Sequence, residues 1–182
     1  LFFELRSLFF VPLDGYQLRS PNSYLLNEVT AYYEIVDRFL EAGDCNAILY
    51  APVADGMTYR ETRRYTFTIE NGGEALDAFV RATLLDPVSQ ELHGGGKPAL
   101  EGFAFLLDYG MKAGALDLEK EAILSYYRGL DAPGFVLTDL KIERRLYLFA
   151  ESGNSADSSV FIRDICNPAI HIWTVTDARD CA

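Results

Sequence analysis

The sequence predicts an α+β fold, an antiparallel sheet of five or six strands with helices mainly on one face. Two stretches carry the sheet. Tyr59–Glu70 and Val136–Ala150 alternate between apolar and polar residues, the period of two that a strand with one buried face requires. Four other stretches repeat apolar residues every three or four positions, as an amphipathic helix does. Strands and helices come in blocks, which suits α+β layering.

Leu1–Val11 reads as a first strand, ended by Pro12 and the Asp14-Gly15 turn signal. Asn22 or Ser23 then caps a helix to Ala42, with Leu25, Val29, Tyr32, Val36 and Phe39 on one stripe and Gly43 behind it. Cys45–Val53 is a short apolar strand, and Tyr59–Glu70 follows as its hairpin partner, stopped by Asn71-Gly72-Gly73. Glu74–Asp86 is helical, with Leu76, Phe79, Val80 and Leu84 on one side and Pro87 after it. A glycine-rich loop leads to a helix over Ala99–Ala113, on the spacing Leu100, Phe103, Ala104, Leu107. Asp117 caps another helix through Arg128, closed by Gly129.

Val136–Ala150 is the longest strand. Val136, Leu140, Ile142, Leu146 and Leu148 form its apolar face, and Asp139, Lys141, Glu143 and Arg145 its polar one. Arg144 falls on the apolar side. After a polar loop, Val160–Cys166 and Ala169–Thr176 complete the sheet.

The chain reads as one domain over 1–182. A strand and helix in 1–43 precede a sheet at 45–176 that carries a helical insertion at 74–129. From the second strand onward the order is two strands, helices, three strands. That order, over Cys45–Thr176, resembles PAS, GAF and related sensor-type domains. The resemblance implies a five-stranded antiparallel sheet with helices across one face. It rests on element order, and no site residue is carried over from it.

Hydrophobic residues make up 49% of the 182 residues, enough for a core without disulfides or metals. No apolar run approaches the ~18 residues of a membrane span. The chain begins at Leu1, which is compatible with a leader already removed. Net charge is −11, which disfavours nucleic acid and anionic membranes as partners and suits solubility or a basic protein partner. Three sparse cysteines, Cys45, Cys166 and Cys181, form no CxxC pair and point to reduced thiols and a cytoplasmic location.

Four residues stand out as candidates for ligand binding. His93-Gly94-Gly95-Gly96 spells an oxyanion loop, yet no G-x-S-x-G elbow accompanies it. Lys97 precedes the expected helix at Ala99, whose N-terminus would favour an anion. Arg63 and Arg144 sit on apolar strand faces, where a guanidinium demands a carboxylate or a bound anion. Glu61 shares the face of Arg63 and is a ready internal partner. His93 and His171 lie at no metal-ligand spacing, and no metal or cofactor is expected. The adjacent pairs Tyr32-Tyr33 and Tyr126-Tyr127 place one ring inward and one outward.

No nucleophile–base pair or cofactor fingerprint is written in the chain. The expected function is a non-catalytic binding or regulatory domain, either a sensor-like ligand pocket or an acidic protein-binding module such as an inhibitor. Its partner is then a protein or a small anionic ligand. A homodimer through outward tyrosines or an open strand edge is a further expectation. The alternative is an enzyme acting on an anionic small molecule through Lys97, Arg144 and His93.

Overall fold

A computed structural model describes residues 28–150 and 157–181. The fold is α+β, with three α-helices and seven antiparallel strands in one open sheet among the described residues. The strands are β1 (Glu28–Asp37), β2 (Gly43–Asp44), β3 (Met57–Glu70), β4 (Gln90–Gly94), β5 (Phe105–Met111), β6 (Val136–Ala150) and β7 (His171–Asp177). The helices are α1 (Gly73–Thr83), α2 (Leu118–Arg128) and α3 (Ser158–Ile165). Across the sheet the order is β4-β1-β3-β6-β5-β7, with β2 beside the start of β3. No helix among the described residues is long and apolar enough to cross a membrane.

The longest strand pair organises the molecule. Along their whole length β3 and β6 pair in antiparallel register, from Met57 opposite Ala150 to Glu70 opposite Val136. Tyr65 and Phe67 therefore share a face with Ile142 and Leu140. Together with Tyr33 and Ile35 of β1 they pack on Leu76, Phe79 and Val80 of α1 and Ile123 of α2. Further along the same face, Leu146 and Leu148 join Phe105 and Leu107 of β5 against Phe161 of α3. The opposite face holds a smaller cluster of Phe103, Leu106 and Tyr147 under Leu100. Cys45 and Cys166 are free, buried thiols of the second cluster.

Several expected elements are corrected, and the reasons are local. The strand expected at Leu1–Val11 lies outside the described residues. From Glu28 the expected helix to Ala42 is instead β1, which holds four consecutive buried residues, Tyr33–Val36. A strand buried on both faces loses its alternation, so its apolar residues fit a helical stripe equally well. The same ambiguity turned β5 into an expected helix over Ala99–Ala113, because Phe105–Asp108 are all buried.

The strand expected over Cys45–Val53 is a 3-10 turn, Cys45–Ile48, where the Asp44 carboxylate accepts from Asn46 N at 2.8 Å. Val160–Cys166 belongs to α3, because Asp157 caps Ser158–Ile165 by accepting from Ser159 N. The order that resembled PAS and GAF domains therefore does not hold, since a strand stands in place of its middle helix. Among the described residues the sheet has seven strands rather than five or six. By contrast, β6 runs from Val136 to Ala150 as its alternation predicts, and Asp117 caps α2 through Lys120 N at 3.0 Å.

Candidate functional site

Glu61, Arg63 and Arg144 lie between the two apolar clusters on the helix-covered face. Register explains the spot: Arg63 stands directly opposite Arg144 across β3 and β6, one step beyond Tyr65–Ile142 and one step short of Glu61–Leu146. Two neighbouring guanidiniums repel unless each has a counter-charge. Arg144 Nη1 donates to Glu61 Oε1 at 2.9 Å, and Arg63 Nη1 donates to Glu119 Oε1 of α2 at 3.1 Å. Tyr65 also donates to Glu119 Oε1, at 2.6 Å. Burial first, and Glu119 second, push the Tyr65 phenol well above its ordinary pKa.

Neither arginine is buried. Their side chains are 51% and 53% exposed, and Arg144 is the sole exposed residue between Ile142 and Leu148. Beside Arg144 opens a cleft of about 200 Å³, lined by Tyr109, Met111, Asp117, Glu119 and His171 among others. The Tyr109 and His171 rings lie 5.4 Å apart. His171 Nδ1 accepts from Asn167 N at 3.1 Å. A neutral imidazole that accepts at Nδ1 carries its proton on Nε2. Burial first, then Glu61, raise the Tyr109 pKa, so its hydroxyl stays protonated. Arg144, His171 Nε2–H and the Tyr109 hydroxyl thus bring three kinds of donor to one cleft. Asp117 and Glu119 face them from the start of α2.

The four residues expected to bind ligand are split between two faces. Arg63 and Arg144 are neighbours here. His93 stands opposite Glu34 across β4 and β1, and with Lys97 it borders a closed crease on the other face that also holds Arg64 and Arg145. Lys97 precedes no helix, because residues 99–104 lead into β5. The expected helix N-terminal anion site at Lys97 is therefore absent. His93 forms strand β4 rather than a glycine loop.

A buried ionic network on that second face escaped the sequence reading. Arg145, only 4% exposed, clasps Asp108 through Nε at 2.7 Å and Nη2 at 2.8 Å, and reaches Glu34 through Nη1 at 2.8 Å. Thr62 and Tyr147 also donate to Glu34, and Ala99 N donates to the Tyr147 hydroxyl at 2.7 Å. Arg64 bridges Asp108 and Glu143, and Lys141 lies 2.7 Å from Glu143. Burial alone would lower the Arg145 pKa; the bidentate Asp108 and then Glu34 more than reverse it. Glu34, Asp108 and Glu143 are met by Arg145, Arg64 and Lys141, so this network is matched charge for charge within itself. One signal for it was present: Tyr147 and Phe149 share the odd face of β6 with Arg145, and large aromatics seldom stand on a fully solvated face.

Among the described residues, no group of three or more His, Cys, Asp or Glu is placed to hold a metal ion. No family model matches this chain, and neither a curated protein nor a solved structure matches it significantly.

Proposed function

We infer that the chain is a non-catalytic binding domain that takes a carboxylate or phosphate group in the cleft beside Arg144. One observation carries the reading: a half-exposed guanidinium, an imidazole N–H and a phenol converge there. Charge-assisted donors of this kind suit a planar or tetrahedral oxyanion, and an arginine engages it through two parallel bonds. Glu61 and Glu119 already offset Arg144 and Arg63. An incoming anion therefore exchanges with Glu61 rather than meeting a bare charge. Binding is selective for groups that reach both Arg144 and His171, and repulsion from Asp117 keeps it modest.

A thermal-shift and calorimetric screen of citrate, small dicarboxylates and inorganic phosphate tests this. Wild type is stabilised by at least one of them, following RT ln(1 + [L]/Kd). Arg144→Met and His171→Ala each lose most of that stabilisation while their ligand-free melting changes little. If no anion shifts the wild type, or the variants respond as it does, the cleft is not an anion site.

A further inference from the structure

The most unguarded feature of the described fold is the outer edge of β7. Nothing among the described residues pairs with that edge, since β7 ends the sheet. Edge strands are ordinarily protected by charge, proline or a bulge. Ala169–Thr176 contains no Asp, Glu, Lys, Arg or Pro. Ile170, Ile172 and Val175 are 40%, 51% and 36% exposed.

The backbone shows which groups are free. Lys112 N donates to Ile170 O, and Ala178 N donates to Ala104 O, in the β5–β7 register. Even-numbered residues of β7 thus turn their peptide groups inward to β5, and Trp173, Val175 and Asp177 turn theirs outward. His171 N is taken by Asn167 O, which leaves its carbonyl outward.

We propose that β7 is a homodimer interface, pairing antiparallel with β7 of a second copy around a two-fold axis through Thr174. Self-complementarity selects a second copy and this register. Although copies carrying −11 each repel one another, the one acidic residue of β7, Asp177, meets no like charge in it. Centred on Thr174, the pairing sets Trp173 opposite Val175 of the other copy, so the outward N–H and C=O groups of both exchange bonds. It also sets Asp177 opposite His171, whose Nε2–H is free to donate to a carboxylate. Asp177 stays ionised, because Arg179 donates to it through Nε and Nη2 and holds its pKa far below the usual carboxylate range. Opposed centres on Trp173 or Val175 lose the His171–Asp177 match. Thr174 itself meets its own copy in a narrow, non-hydrogen-bonded pair on the face away from the helices. The backbone pairing needs no anion in the cleft, but the single His171 Nε2–H serves either Asp177 of the second copy or a cleft anion.

Sedimentation and light scattering across a concentration series read the mass, with circular dichroism reporting the fold. Wild type has twice the monomer mass in the micromolar range. Val175→Pro removes an outward N–H without removing a bond to β5, and it yields a folded monomer. Thr174→Cys cross-links through a disulfide under mild oxidation, since non-hydrogen-bonded pairs bring Cα atoms within disulfide range. Thr176→Cys faces Ile172 instead and links no faster than the wild-type background. A wild type that is monomeric at every concentration overturns the proposal. So does a dimer that survives in folded Val175→Pro while Thr174→Cys fails to link. If Val175→Pro does not fold, the cross-linking pattern alone decides.

Discussion

At the scale of single residues, the decisive contrast is between Arg144 and Arg145. Alternation put Arg144 on the apolar face and Arg145 on the polar one, and both assignments hold. Burial is reversed all the same. Arg144 lies in the gap between two clusters and is half exposed, whereas Arg145 is sealed under Tyr147 and the chain around Ala99. Arg145→Met strands Glu34 and Asp108 without a counter-ion, and such breakage of a buried pair costs about 3–5 kcal/mol. Arg144→Met removes an exposed pair and costs less than about 1 kcal/mol. Urea titration of the two variants checks this, and a larger loss for Arg144→Met would contradict the assigned burial. Lys141→Ala is expected to cost more than the ~0.5 kcal/mol of an ordinary surface change. Its ammonium is the nearer of two cations on buried Glu143, Arg64 being 3.7 Å away.

At the scale of elements, β5 and β6 depend on close backbone approach. A Cβ at Gly110 would stand 2.5 Å from Ile142 O and 3.3 Å from Glu143 Cγ. Backbone cannot move aside as a flexible side chain can, so Gly110→Ala destabilises by about 1–3 kcal/mol. On the helix-covered side, Leu146 is 2% exposed within the second cluster, and Leu146→Ala costs about 2–5 kcal/mol. Chemical denaturation of both variants at constant m-value tests the packing. A neutral Gly110→Ala would mean that β5 sits farther from β6 than described.

At the scale of the whole molecule, alkaline pH is the weak flank. Burial pushes the Cys45 thiol up to about 12, and it raises Tyr33, Tyr65, Tyr109 and Tyr147 above the ordinary phenol value. Each is a neutral group whose folded pKa exceeds its unfolded one. Its stabilisation is complete below the unfolded pKa and is lost as pH rises through the folded pKa. The loss therefore begins near pH 9 with the thiol and deepens above pH 10 with the phenols. Cys45 alone forfeits on the order of 4 kcal/mol once titrated, at about 1.4 kcal/mol per unit. Melting temperature should fall steadily above pH 9, and tyrosinate absorbance should rise cooperatively with unfolding. A flat profile from pH 8 to 11 would refute this.

Where a stretch alternated apolar with polar residues or carried helix signals, the residues alone determined its form: β3, β6, α1 and α2 follow from period and caps. The exposed Tyr126 beside a half-buried Tyr127 followed from the 100° step of α2, whereas Tyr33 turns inward and Tyr32 outward because β1 is a strand, which sends neighbours to opposite faces. Tertiary structure decided β1 and β5, because burial on both faces erases the alternation that identifies a strand. It also decided α3, where eight residues are too few for periodicity to outweigh the β-branched Val160 and Ile162. For the candidate site, Arg63 and Glu61 were legible on one strand face and Arg144 on the apolar face of another. Tyr109, His171 and Glu119 were not, since three other elements bring them there. For which charges are buried, the sequence carried one signal, the aromatics Tyr147 and Phe149 on the face of Arg145. Period assigns a side chain to a face, but only what packs on that face sets its distance from water.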